Sequence, residues 1–132
     1  MTEYLSVPSY ALQQGEGLGF DALALVEPLA IGAHAVRRAG ISANEFVLVM
    51  GAGPIGLGTM EFARIAGGRV IAMDINEDRL NFCKQRLKIE HIVNASSTDV
   101  NEQLTTITNG DMPTVVIDAT GKGVSIRLGT PR

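Results

Sequence analysis

The stretch Phe46 to Gly58, Phe-Val-Leu-Val-Met-Gly-Ala-Gly-Pro-Ile-Gly-Leu-Gly, restricts the fold more than any other part of the chain. Phe46 to Met50 is apolar throughout and carries β-branched Val47 and Val49, as a strand buried on both faces of a parallel sheet would. Gly51, Gly53 and Gly56 follow with G-x-G-x-x-G spacing, and Pro54 stands where a helix would begin. That helix is predicted to continue to about Ala66 and to stop at Gly67.

Strand, glycine turn and helix in this order form the first unit of a dinucleotide-binding fold. The three glycines serve different ends. Gly51 permits the tight turn off the strand, Gly53 the close approach of backbone to a pyrophosphate, and Gly56 the packing of helix on strand. The first turn of the helix would offer unpaired N–H groups and the positive end of its dipole to the phosphates. The glycine pattern alone also fits a turn in some other α/β protein. Arg69 to Asp74 narrows the choice, because it reads as the next strand and ends in an acid at about the ~20-residue spacing from the first glycine. A carboxylate at Asp74 can accept from both hydroxyls of an adenine ribose and would repel a 2′-phosphate, which favours NAD over NADP; a solvent-facing acid at a strand end is the alternative.

Of the 132 residues, 45% are hydrophobic and 19% charged, which suits one modest packed domain rather than a disordered chain. The net charge is −3 and the largest basic cluster is Arg37-Arg38, so neither nucleic acid nor an anionic membrane is an expected partner. Glu27 and Pro28 interrupt the longest apolar stretch, which leaves nothing near the ~18 residues of a membrane span. No basic, then apolar, leader opens the sequence, and its single cysteine, Cys83, cannot form an internal disulfide; both readings favour the cytoplasm.

Glu3 to Pro8 alternates like a strand closed by a proline, and Gln13 to Gly19 reads as a glycine-rich loop. Residues 21–39 read as helix, with Asp21 as candidate N-cap, a division at Pro28 and Gly40 as the stop. Beyond Asp74, Asn76 is a candidate cap for a helix with Leu80, Cys83 and Leu87 on one face, where Cys83 is a core residue and not a nucleophile. His91 to Asn94 is a third strand. Ser97, Thr98 or Asp99 then caps a helix carrying Val100, Leu104 and Ile107, which Asn109-Gly110 ends. Thr114 to Asp118, apolar until its last residue, is a fourth strand expected to be parallel and buried, with Asp118 to Gly121 turning toward the ligand crevice. Right-handed crossovers order the sheet 3-2-1-4, an α/β partial Rossmann fold with helices on both faces. In Lys122 to Arg132, Val124, Ile126 and Leu128 alternate as one short strand or a tail.

Glu27-Pro28-Leu29 and His34 to Gly40, followed by Val49 to Gly58 and the Asp74 strand, resemble the medium-chain, zinc-dependent alcohol dehydrogenases. The resemblance is nearest to the sorbitol, threonine and sugar-acid branch and covers residues 3 to about 121. It implies an NAD-linked oxidation of a secondary alcohol or sugar to a ketone. It assigns Gly51, Gly53, Pro54, Ile55 and Gly56 to the pyrophosphate loop, Asp74 and Arg79 to the adenosine ribose, and Glu27 to a position at or beside the catalytic zinc. It divides the chain into a remnant of the catalytic domain (1–20), linking helices (21–45), an NAD-binding Rossmann half (46–121) and a tail unlike the family (122–132). The family's other zinc ligands, a Cys and a His, lie upstream of anything present here. Of the possible substitutes, Cys83 and His91 belong to the coenzyme half and His34 reads as a packed helix residue. The chain is therefore expected to be a truncated dehydrogenase that binds NAD but is inactive alone.

Two further readings compete. A methyltransferase that binds S-adenosylmethionine has a similar glycine loop but wants an acid just before it, where Leu48-Val49-Met50 stands. A non-catalytic nucleotide-binding or assembly module is the other. Ending the sheet at Val115-Val116-Ile117 would leave an apolar edge strand, so self-association is expected.

Overall fold

The computed structural model describes residues 2–121. Four strands, β1 (Phe46–Met50), β2 (Arg69–Asp74), β3 (His91–Asn94) and β4 (Val115–Asp118), form one parallel sheet in the order β3-β2-β1-β4. The helices are α1 (Phe20–Ala24), α2 (Val26–Ala39), α3 (Pro54–Ile65), α4 (Glu77–Arg86) and α5 (Val100–Ile107). The fold class, the sheet order and the helices on both faces are those the sequence indicates.

Strand alternation divides the core in two. Val47, Val49, Val70 and Ala72 meet Met60 and Ala63 of α3, Leu80 and Cys83 of α4 and Val36 of α2. The residues between them, Leu48, Met50, Ile71 and Met73, face the other way and meet Val100 and Leu104 of α5. Leu48, Ile71 and Val49 are wholly buried, because β1 and β2 lie in the middle of the sheet with helices over both sides. Burial raises the pKa of the Cys83 thiol, and the Asp74 charge adds to the effect. Its sulfur lies 3.7 Å from that of Met60, a core position and not a nucleophile's.

Close helix contact brings α2 against α3. A Cβ on Gly32 would come within 2.9 Å of the Thr59 backbone nitrogen, and one on Gly58 within 2.9 Å of Leu29. At the end of the sheet away from the glycine turn, Glu45 joins β1 to β4. Its carboxylate accepts from Ser42 N at 2.8 Å and from Thr114 Oγ1 at 2.6 Å, bonds that lower its pKa, the Ser42 amide most.

Several expectations need correction. Residues 3–8 form no strand and join no sheet among the described residues; their alternation leaves Tyr4 and Leu5 exposed, since no neighbouring strand offers a ladder. The helical stretch breaks at Leu25 and not at Pro28. Pro28 falls in the first turn of α2, where the N–H it lacks would have no intrahelical acceptor, so it costs the helix nothing. Gly19, not Asp21, is the N-cap of α1. Asp99, one of the three positions expected, is the N-cap of α5, but it makes no side-chain cap bond; its carboxylate is taken up by Ser97 and Gln103. β4 is parallel as expected but only partly buried: Val115 and Ile117 pack toward the α3 side, while Val116 stays 38% exposed because α5 covers the other half of the sheet. No helix among the described residues is long and apolar enough to cross a membrane.

Candidate functional site

The carboxyl ends of β1, β2 and β4 converge on the glycine turn. Gly51 leaves β1 with φ +96°, a backbone region that β-carbons disfavour, and donates its N–H to Met73 O at 2.7 Å. On its other side a Cβ would meet the Ala119 carbonyl carbon at 3.1 Å, and Ala119 itself donates to Met50 O at 2.8 Å. Gly56, in the first turn of α3, lies against Gly51 so closely that any Cβ would overlap the Gly51 carbonyl oxygen. Turn geometry therefore demands one glycine and helix packing the other.

Gly53 is different. Its φ of −82° is open to any residue, and an added Cβ would meet nothing within 4 Å. Neither strain nor internal packing accounts for a glycine there; the bare backbone faces open space. Next to it, α3 starts with Pro54, which has no N–H, and its first i→i−4 bond runs from Leu57 N to Gly53 O at 2.9 Å. The amides of Ile55 and Gly56 precede that bond and point with the positive end of the helix dipole, which suits an anion.

Asp74, at the end of β2, is 8% exposed. Its Oδ2 accepts from Ala52 N at 2.6 Å and its Oδ1 from Asn76 N at 2.9 Å. Arg79 approaches Oδ2 at 3.9 Å from the first turn of α4, with its side chain 58% exposed. Asn76 caps α4 by accepting from Arg79 N at 3.1 Å, as its place in the sequence indicates. Each carboxylate oxygen has two lone pairs, so both keep one for a further donor. The structure thus brings Gly51, Gly53, Pro54, Ile55, Gly56, Asp74 and Arg79 to one rim of the sheet.

Glu27 is not among them. It is exposed near the start of α2, and the described residues contain no group of three His, Cys, Asp or Glu side chains able to hold a metal ion. His34, read as a packed residue, is exposed instead and lies 3.2 Å from Arg37 one turn on; Gly32, not His34, turns toward Thr59 of α3. Sequence reading missed the parts of Ala52 and Asn76 as donors to Asp74. The signal for Asn76 lay in its place two residues after an Asp, where an aspartate side chain bonds its own backbone.

Known proteins share this fold. The family profile for zinc-binding dehydrogenases matches residues 54–129, well over half of the chain and on past Gly121. The chain belongs to the zinc-binding dehydrogenase family. Its relatives include L-galactonate-5-dehydrogenase of Escherichia coli K12, 43% identical over 91% of this chain and 35% of that protein. Bovine (Bos taurus) sorbitol dehydrogenase is 37% identical over 86% of this chain and 33% of that one. Among solved structures, the apo form of zinc-dependent alcohol dehydrogenase 2 from Streptococcus pneumonia superposes with a TM-score of 0.83 at 25% identity, covering 95% of this chain and 37% of the other. This zinc-binding dehydrogenase chain thus spans about a third of the length of the relatives it matches.

Proposed function

We propose that residues 46–121 are the coenzyme-binding part of an NAD-dependent zinc dehydrogenase acting on a secondary alcohol of a polyol or sugar acid, and that this chain alone binds the ADP half of NAD without turning over an alcohol. Residues 1–20 then belong to the catalytic part and 21–45 link the two. One observation carries the coenzyme assignment: Gly53, which follows the Ala52 amide held by Asp74 and caps the first turn of α3, has nothing within 4 Å of where a Cβ would stand and so no internal reason to be glycine. A pyrophosphate fits that opening, and an adenine ribose then reaches the free lone pairs of Asp74. Arg79 flanks the same corner.

NAD, when bound, supplies the hydride acceptor; the chain's part is to grip and orient it. Zinc does not fit the described residues, since Glu27 stands without companion ligands. The metal role of Glu27 is accordingly confined to the whole enzyme, where other ligands complete the site. A single buried cysteine supports a cytoplasmic setting.

Calorimetric titration tests the reading. ADP-ribose is expected to bind with nearly the affinity of NAD, while nicotinamide mononucleotide binds far more weakly. Oxidation of polyols by the isolated chain with added zinc, or tighter binding of nicotinamide mononucleotide than of ADP-ribose, would contradict it.

A further inference from the structure

The bonds that Asp74 already makes point beyond ribose recognition. Ala52, whose N–H it accepts at 2.6 Å, lies between Gly51 and Gly53, inside the turn that faces the proposed pyrophosphate. Asn76, accepted by the other oxygen at 2.9 Å, caps α4 in the turn after β2. One buried carboxylate therefore ties the turn after β1 to the turn after β2. Glycines on both sides make the Ala52 segment the part of the turn with the most backbone freedom to lose. A charge-assisted bond to a buried acceptor is the kind of contact that can hold it.

We propose that Asp74 is a positioning residue for the phosphate cradle, besides any contact it makes with a ribose. By holding the Ala52 N–H it fixes the direction of the Gly53 backbone and of the Ile55 and Gly56 donors that follow. The inference rests on the coenzyme reading above, but its consequence differs in sign from simple electrostatics. A negative charge beside an anion repels it, so removing Asp74 should tighten the binding of a bare phosphate ligand. A lost tie should weaken it.

Inorganic pyrophosphate is the probe, since it has no ribose to reach Asp74. Its affinity is followed by amide shifts at fixed ionic strength in the native chain, Asp74→Asn and Asp74→Ala, with hydrogen exchange at the Ala52 amide measured without ligand. Asp74→Asn keeps an acceptor oxygen and loses the charge, so it is expected to protect Ala52 and to bind pyrophosphate at least as well as the native chain. Asp74→Ala is expected to speed Ala52 exchange at least tenfold and to weaken pyrophosphate severalfold. If both variants bind tighter than the native chain, or Ala52 exchanges equally in all three, the positioning role is overturned.

Should Asp74→Ala fail to fold, Asp74→Glu replaces it, keeping the charge while displacing the oxygens. Faster Ala52 exchange and weaker pyrophosphate binding are expected, and native behaviour in both would overturn the proposal. A native chain that binds pyrophosphate but not ADP-ribose would sink the coenzyme reading and leave the exchange result to judge the tie. One that binds neither ligand overturns both.

Discussion

Gly56→Ala is expected to destabilise the chain by about 3 kcal/mol or more and to abolish ADP-ribose binding. Overpacking a core usually costs about 1–3 kcal/mol because side chains rotate or shift to make room. Here the added methyl would overlap the carbonyl oxygen of Gly51, and backbone cannot rotate away. Gly51 is itself held on two sides, by its bond to Met73 O at 2.7 Å and by the Ala119 segment bonded to Met50 O at 2.8 Å. To accept a Cβ, α3 must lift from β1, and its first-turn amides leave the cradle with it. Gly53→Ala is the control. Its methyl enters open space, so folding stability should stay within about 1 kcal/mol of native, while the same methyl occupies the volume assigned to the pyrophosphate and weakens ADP-ribose at least tenfold. Denaturant midpoints and titrations of both variants measure the contrast. Equal midpoints for native and Gly56→Ala would show that the helix does not pack as described.

The second large effect concerns the 2′ position of the adenine ribose. Native chain is expected to prefer ADP-ribose over its 2′-phosphorylated form by roughly tenfold or more, about 1.4 kcal/mol, because a phosphate there would face the Asp74 carboxylate. Asp74→Ala should erase or reverse that preference. It removes the repulsion and also frees Arg79, now 3.9 Å from Asp74 Oδ2, to pair with the phosphate. Arg79 is more than half exposed, so the gain should shrink as salt is raised. The variant should also bind ADP-ribose itself more weakly, for want of the carboxylate. Paired titrations of the two ligands at low and high salt read the result. An unchanged preference would remove Asp74 from the ribose site.

Much of this arrangement was legible in the residues themselves. The apolar run of Phe46 to Met50, the glycine spacing and the acid at Asp74 specify strand, turn, helix and strand through local rules, and right-handed crossovers then leave one order for the sheet. Pro28 misled because a proline reads as a break, yet its effect depends on where the first turn falls, and that was set by Leu25. Residues 3–8 alternate as a strand does, but pairing needs a partner that alternation cannot supply. The half-exposure of β4 likewise depends on which half of the sheet α5 covers. At the site, the sequence pointed to the three glycines and to a separate end for each, and the structure adds the local geometry: a positive φ at Gly51, the Gly51 carbonyl against Gly56, and empty space at Gly53. The tie from Asp74 to Ala52 joins turns 22 residues apart and becomes visible once both strands are in register.

On the function proposed, the opening beside Gly53 and the carboxylate of Asp74 receive the two ends of one ADP moiety. Mapping amide shifts on the 15N-labelled chain during titration with ADP-ribose tests it most directly. The largest changes are expected at Gly53, Ile55 and Gly56 and around Asp74 and Asn76, saturating together with one dissociation constant. Saturable changes centred elsewhere, or none at the glycine turn, would contradict it.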